Sequence, residues 1–574
     1  MDALIDRMLD EGLIDESTAR GIGSLLADGE PPARAFAVGG VGEESLLRFL
    51  AREFDLPYVE LEARTFSKDF LARFPARLLL DRHILPVESE TGELLAVTSD
   101  PFDTSAVDEL SLATGRDFRL ALAPLADIDR CIKRYLGVGA DTVQSMISEA
   151  GENGLQVIDT DPDDDMDLTE AAEGASIIRF VNQILTEAIE LRATDVHIEP
   201  FEESLRVRYR IDGVLQETSI APEVKQFHAA IVSRLKILSK LDIAEKRVPQ
   251  DGRIKIRIAG REIDVRVSVI PMLYGEAVVL RLLDRSSVLL GLDKLGTSAR
   301  DLDVMRMILD RPHGIILVTG PTGSGKTTTL YAGLSQINDV QRKIITIEDP
   351  IEYQLQGVNQ IQVSRKAGLT FASGLRSILR HDPDVVLVGE IRDSETAEIA
   401  IQASLTGHLV FSTLHTNDAP SALTRLVDMG IEPYLVASSL EAILAQRLVR
   451  VICRDCREAM PTGEVEPLRQ RFGDQLPATL YRGKGCRNCQ GTGYRGRIGI
   501  FELMAVTDEI RSLILENVSA RDLRRVAMRQ GMRSLRDDGF RHLADGRTTV
   551  EEILRVTKDE SFEANGLVAF PEQP

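Results

Sequence analysis

The stretch HGIILVTGPTGSGKTTTLYAGL constrains this chain more than any other. An apolar run, Ile315 to Val318, leads into Gly320-Pro321-Thr322-Gly323-Ser324-Gly325-Lys326-Thr327 and then into a helical pattern. Strand, glycine-rich loop and helix in that order are the full context a phosphate-binding loop requires. Glycines 320, 323 and 325 let backbone N–H groups turn inward around phosphates, Lys326 meets the β and γ oxygens, and Thr327 can ligate Mg²⁺. A glycine-rich turn unrelated to nucleotide would not need all three parts together. The loop therefore predicts ATP and Mg²⁺ as ligands. From about residue 295 strands alternate with helices, which predicts an α/β fold with a parallel sheet wound by helices on both faces.

Such a loop only holds nucleotide, so hydrolysis needs carboxylates, and open α/β sheets present ligands at the C-terminal ends of their strands. The strand KIITIED ends at Glu348 and Asp349, and DVVLVGEIRD ends at Gly389 and Glu390. Where the usual second phosphate motif carries an Asp that holds Mg²⁺, this chain has Gly389. The metal is accordingly expected on Thr327 and waters, with Glu348 and Glu390 orienting or deprotonating the attacking water. A third strand, LVFSTLHTND, brings His415 toward the same edge. A lone histidine is more often structural, but this position favours sensing of the γ-phosphate.

A chain of 574 residues with 43% apolar content is too long for one core and should divide into several domains. Its 68 Lys plus Arg against 90 Asp plus Glu leave a formal charge of −22, which opposes an extended grip on nucleic-acid phosphates. The N-terminus MDALIDRMLDEG is acidic and amphipathic, and no run of 18 apolar residues occurs, so the chain is expected in the cytoplasm with any membrane attachment made through protein partners. Residues 1–60 read as a helical docking region, in which Gly12, Ile14 and Glu16 recur 27 positions later as Gly39, Val41 and Glu43. A small α/β domain should cover 61–138, with a strand at LLAVTSD and a closing helix at DIDRCIKRYLG. An acidic linker follows over 139–175. Its Asp161, Asp163 and Asp165 alternate like calcium ligands, but Met166 replaces the glycine of the turn and Ala172 the bidentate Glu, which argues against calcium.

A second α/β domain is expected over 176–286. Its helix carries Ile177, Val181, Ile184, Leu185 and Ala188, and the strand LRVRYRI alternates apolar residues with Arg206, Arg208 and Arg210 before an Asp-Gly turn. A further hairpin is expected in IKIRIAGREIDVRVSVI. The ATPase core spans 287–450, a cysteine module 451–505 and a helical C-terminus with its tail 506–574, with capping boxes at Ser519/Asp522 and Thr548/Glu551 and a disordered last 15 residues. In the module, Cys453-x2-Cys456 and Cys486-x2-Cys489 are separated by 29 residues. Paired C-x-x-C knuckles give a tetrahedral, closed Zn²⁺ site, which is structural rather than catalytic. The alternative, redox-active pairs, lacks a thioredoxin-like context. Cys131, on an apolar helix face, reads as a buried thiol.

Taken together, GPTGSGKTTT, ITIEDPIEY, GLTFASGLRSILRHDPDVVLVGEIRD and TGHLVFSTLHTND resemble the secretion ATPase superfamily. The resemblance implies a RecA-like core preceded by a PAS-like domain, assembled as a homohexamer with ATP between the two domains. Within that family the blocks holding Arg208, Arg210, Arg253, Arg266 and Arg281 supply nucleotide contacts; Arg266 and Arg281, which flank the arm YGEAVVLRLL, are favoured for a catalytic role, and Arg206 reads as solvated. The cysteine gap and the blocks ATDVHIEPFEESLRVRYRIDGVL and KLDIAEKRVPQDGRI are similar to those of type II secretion assembly ATPases, which drive pseudopilus assembly from the cytoplasm. An inner-membrane anchor and platform proteins are the partners so implied, contacted through the N-terminal region. The rivals are a type IV pilus extension motor, a nucleic-acid translocase and a nucleotide-gated scaffold without turnover. Related motors bind cyclic-di-GMP through duplicated Arg-Leu-Gly…Gly…Gln hairpins; residues 1–60 lack the Arg-Leu-Gly and Gln elements, so partner docking is expected there instead.

Overall fold

The computed structural model describes residues 2–27, 32, 35–36, 41–61, 68–71, 73–74, 76–89, 92–136, 174–258, 261–284 and 290–557. The expected acidic linker, the calcium-like run and the C-terminal tail therefore lie outside the described residues, apart from Gly174 and Ala175. Contacts divide the chain into two compact units, Met1–Asp284 and Arg285–Pro574.

The first unit begins with a helical hairpin, Asp2–Asp10 and Glu16–Ala27, that turns at Gly12 with φ +71°. The helix Glu43–Glu53 starts at the residue that echoes Glu16. A three-stranded sheet follows, β1 (Leu85–Glu88), β2 (Leu94–Thr98) and β3 (Arg119–Leu122), with the helix Leu125–Leu136 closing it as expected. The boundary placed at 60/61 is bridged by a shared core: Leu122 and Phe102 pack with Phe36, Phe49 and Met8.

Residues 174–284 form a six-stranded sheet of β4 (Ala193–Pro200), β5 (Leu205–Ile211), β6 (Val214–Thr218), β7 (Gln250–Ile258), β8 (Arg261–Met272) and β9 (Gly275–Asp284), in the order β6-β5-β4-β9-β8-β7. The expected hairpin turn falls on Asp212 and Gly213, both at positive φ. Strand alternation sends Val196, Ile198, Val207, Tyr209, Val265 and Leu280 into one core under the helix Ala175–Glu190, leaving the polar residues on the opposite face.

The second unit is organised by a seven-stranded sheet in the order β12-β11-β13-β14-β10-β15-β18. These strands are β10 (Gly314–Thr319), β11 (Ile344–Glu348), β12 (Asn359–Gln362), β13 (Val385–Val388), β14 (Leu409–Leu414), β15 (Leu440–Ile452) and β18 (Tyr494–Ala505); the small pair β16 (Arg457–Ala459) and β17 (Tyr481–Gly483) stands apart. All pairings in the large sheet are parallel except β15 with β18. Both faces are covered, which is why β10 reads as a continuous apolar run. Ile315 and Leu317 face one core, Ile316 and Val318 the other. Leu317 is fully buried, and cutting it to Ala should cost about 2–5 kcal/mol.

Strand β18, grouped by sequence with the cysteine module, runs in the main sheet alongside β15, so the module is carried at the tip of this long hairpin. The C-terminal helices are joined to the same core: Ile510, Leu523 and Val526 pack with the β10 and β14 side chains. Ser519 caps the helix Ala520–Arg529 as expected. The second cap is displaced by one residue, because Thr549 accepts from Glu552 N–H while Thr548 donates its hydroxyl to the Arg450 carbonyl.

Candidate active site

Gly320–Gly325 joins β10 to the helix Lys326–Ile337. Gly320 (φ +152°) and Gly325 (φ +90°) occupy backbone conformations that L side chains avoid, and their surroundings admit no Cβ. A Cβ on Gly320 would lie 2.6 Å from the Gln446 carbonyl and from Ser324 Oγ; one on Gly325 would lie 2.8 Å from Gln446 Nε2. The loop is thus a narrow cradle of backbone against β15. Ser324 Oγ is buried there without a hydrogen-bond partner. Lys326 Nζ donates to the carbonyls of Gly320 (2.8 Å) and Pro321 (3.1 Å). Burial lowers the Lys326 pKa, opposed by Glu390 and aided by Arg447. A partly desolvated ammonium at the start of a helix is a site for a polyphosphate. Thr327 follows as the second residue of the helix.

The sheet brings the predicted groups to this edge at the C-terminal ends of their strands. Glu348 closes β11 and is 4% exposed. Three donors hold its carboxylate: Tyr331 Oη, Thr346 Oγ1 at 2.6 Å and Gln360 Nε2 at 3.2 Å. Burial and the neighbouring Glu348 push the Tyr331 phenol pKa up, so it stays a proton donor. Glu390 lies two residues beyond β13 and pairs with Arg392 Nη2 at 2.5 Å and His415 Nε2 at 3.2 Å. Burial alone would raise the Glu390 pKa, but Arg392 and His415 outweigh it and hold the carboxyl below its ordinary value. His415, immediately after β14, is half exposed. Glu390 pairs with Arg392 and His415 and lies within electrostatic reach of Lys326, an arrangement that can bracket a terminal phosphate and an attacking water. Sequence reasoning missed Arg392, although it stands two residues from Glu390, and missed Gln446 and Arg447, whose signal was a polar pair inside the apolar run of β15.

Arg266 and Arg281 stand in the first unit. Arg253, Arg266 and Arg281 are cross-strand partners on β7, β8 and β9, and Asp195 of β4 continues the row. Arg281 Nε donates to Asp195 Oδ1 at 2.9 Å, and Arg210 Nε lies 3.6 Å from Oδ2. Arg208 is paired with Glu199 at 2.7 Å, while Arg206 lies over the Phe201 ring and 3.6 Å from Glu217. The row sets Arg253, Arg266 and Arg281 side by side next to Asp195 on one face, a surface suited to an anion.

The four thiols Cys453, Cys456, Cys486 and Cys489 converge, with all Sγ atoms within 4.8 Å of one another. Three of the pairs, Cys453 with Cys486, Cys456 with Cys489 and Cys486 with Cys489, are 3.8 Å apart. A Zn–S length of about 2.3 Å in a tetrahedron sets its edges at about 3.8 Å, so the donor set fits Zn²⁺. Backbone N–H groups of Gly485, Cys486 and Gly493 point at the sulfurs at 3.2–3.3 Å, hydrogen bonds that favour thiolates.

A family profile described as type II/IV secretion system protein matches residues 170–555, and the MshEN domain profile matches residues 54–141. The type IV pilus assembly ATPase PilB of Myxococcus xanthus is 43% identical over 528 residues, 91% of this chain and 93% of that protein. Type II secretion system protein E of Pseudomonas aeruginosa is 56% identical over 394 residues, 69% of this chain and 78% of that protein. The protein E of Xanthomonas campestris is 46% identical over 486 residues, 84% of each. With a profile covering more than half its length and relatives this similar, the chain belongs to the type II/IV secretion system protein family.

Proposed function

We propose that this protein is the ATPase motor of type II secretion, hydrolysing ATP to drive pseudopilus assembly. The observation that carries the reading is the gathering of Lys326, Glu348, Glu390 and His415 on one sheet edge in a chain 56% identical to a type II secretion protein E. Backbone N–H groups of the glycine-rich loop and the Lys326 ammonium hold the β- and γ-phosphates of ATP. Thr327 and waters would hold Mg²⁺, which supplies charge neutralisation across those phosphates. Glu390 orients the attacking water, and His415 senses the γ-phosphate. Phosphoryl transfer is loose at its transition state, so a positioned carboxylate serves even with a lowered pKa. The water oxygen bonds to the γ-phosphorus as the bond to the β–γ bridging oxygen breaks. ADP and phosphate leave, and the water's proton passes to the released phosphate. Glu348, its oxygens already engaged, orients the polar floor of the site rather than moving a proton.

Arg266 and Arg281 add cations to the γ-phosphate at the interfaces of a homohexamer, an arrangement worth about 10³–10⁵ in rate in other phosphoryl-transfer enzymes. The four cysteines hold a structural Zn²⁺. The motor works from the cytoplasm, attached peripherally to the inner membrane as its N-terminal region docks on a secretion anchor and reaches the platform; among the described residues no helix is long and apolar enough to cross a membrane. Nucleic acid is not a partner, given the charge of −22.

A type IV pilus extension motor is the second reading, favoured by the 43% identity that spans 91% of the chain. The higher identity of the type II relatives and the 29-residue cysteine gap favour secretion. Capture with the full chain from detergent-solubilised membranes that contain both machines separates them. Recovery of a secretion anchor with a cytoplasmic docking domain supports type II secretion, and recovery of pilus platform proteins alone moves the engine to pilus extension.

A further inference from the structure

The four residues that follow His415 are each held by a different element. Thr416 N–H donates to Thr319 Oγ1 at the end of β10 (2.9 Å), and the two hydroxyls are 2.7 Å apart. Arg447 of β15 forks onto Asn417, its Nη2 reaching the backbone oxygen at 3.1 Å and Oδ1 at 3.2 Å. Arg524, on the C-terminal helix Ala520–Arg529, places Nη2 3.1 Å from Asp418 Oδ2. Ala419 N–H donates to Glu502 Oε1 of β18 at 2.8 Å, and Glu502 Oε2 is 3.7 Å from Arg524 Nη1. His415 differs: it is half exposed, and its ring bonds to Glu390.

Arg447 also abuts the phosphate loop. Its Nη1 donates to the Gln446 carbonyl at 3.0 Å and lies 3.0 Å from where a Cβ on Gly320 would stand. The residue is 9% exposed, and burial lowers its pKa, offset only in part by Asp418 and Glu502. A buried guanidinium is not a stability device, since well-packed apolar residues do as well or better. What the guanidinium provides is orientation, because its planar donors join the Gln446 carbonyl through Nη1 to Asn417 through Nη2, a spacing that Lys cannot reproduce.

We propose that Arg447 and Arg524 are positioning residues for ATP hydrolysis, fixing segment 416–419 between the phosphate loop and the helical C-terminus so that His415 and Glu390 stay aligned on the γ-phosphate. The proposal rests on the roles given above to His415 and Glu390. It makes the C-terminal helices part of the catalytic apparatus: a displacement of helix Ala520–Arg529 changes turnover without touching nucleotide.

The test measures kcat and KM for ATP by phosphate release, and the affinity of a fluorescent ADP analogue, in the full chain and in R447K, R524A, R524K and H415A. R447K and R524A should each lower kcat about tenfold or more, since small misplacements are costly in a positioned site. KM and ADP affinity should stay within about twofold, which also shows that the ATPase unit remains folded. R524K should recover part of the loss. R524A added to H415A should lower kcat by less than about a further twofold, because residues acting as a unit are not additive. Additive losses, or losses matched by weaker ADP binding, overturn the proposal. Reduced kcat in H415A with normal kcat in both R447K and R524A overturns the positioning role alone. Unchanged kcat in H415A overturns the reading of His415 and this proposal with it.

Discussion

The phosphate loop and the tetracysteine module are carried by the same seven-stranded sheet, and they obtain their shape by opposite means. The loop follows β10, whose residues are all buried, and Gln446, Arg447 and Leu414 close on it from neighbouring strands. Its geometry is set by the fold before any ligand arrives. The module lies beyond the ends of β15 and β18. Its small apolar cluster takes Val465, Phe472, Leu476 and Leu480 from the module, and Phe540, Leu543, Val550 and Ile553 from the C-terminal helices. A segment with so little core of its own would depend on the Zn²⁺ proposed for its four cysteines. Changes at the loop should therefore alter chemistry and spare folding, and changes at the cysteines should do the reverse.

Zinc removal gives the largest expected effect. A structural Zn²⁺ contributes about 10 kcal/mol or more to folding, so chelation should strip one zinc per chain and expose amides between Cys453 and Gly493 to hydrogen exchange. Amides of the helix Lys326–Ile337 should keep their protection. Loss of protection in both regions together would dissolve the contrast.

K326A comes next. Removing the ammonium proposed to meet the β and γ oxygens should lower phosphate release by about 10³-fold or more, while the unfolding midpoint of the ATPase unit moves by a few degrees at most. Retained hydrolysis would remove the site from Gly320–Thr327.

A smaller effect sharpens the contrast within the ATPase unit. Burial lifts the Glu502 pKa from 4.5 to about 7, against the opposing pull of Arg524. A raised carboxyl pKa means that ionisation is harder in the folded state, so this group's stabilising contribution is complete below pH 4.5 and lost as pH rises to about 7. That displacement corresponds to about 3 kcal/mol. E502Q, which cannot ionise, should lose less stability than the natural chain between pH 5 and pH 8, measured by thermal unfolding at each pH. Parallel pH dependence in the two proteins would contradict it.

Legibility in the sequence followed the range of the physics involved. The phosphate loop was readable because its glycines, lysine and threonine answer to backbone geometry within eight residues. The positions of Glu348, Glu390 and His415 were readable because each lies at or just past the C-terminal end of a buried strand, and parallel sheets gather such ends. Alternation revealed the polar face of the six-stranded sheet, but not that Arg281 meets Asp195, 86 residues away. Arg447 and Arg524 were not readable, since their partners come from strands and helices far along the chain. The cap at Thr549 was misplaced because two adjacent threonines offer the same side chain, and only the demand of the Arg450 carbonyl for Thr548 separates them. Strand β18 was assigned to the module because GTGYRGRIGIFEL adjoins the last cysteine, whereas its pairing with β15 is a property of the sheet.

The measurement that tests the account most directly is the turnover and ADP-analogue affinity of E390Q in the full chain. The account predicts that nucleotide binds within about threefold of the natural affinity while phosphate release falls about 10²-fold or more, because the carboxylate acts on the attacking water and not on the bound nucleotide. Phosphate release within about twofold of the natural rate would contradict it.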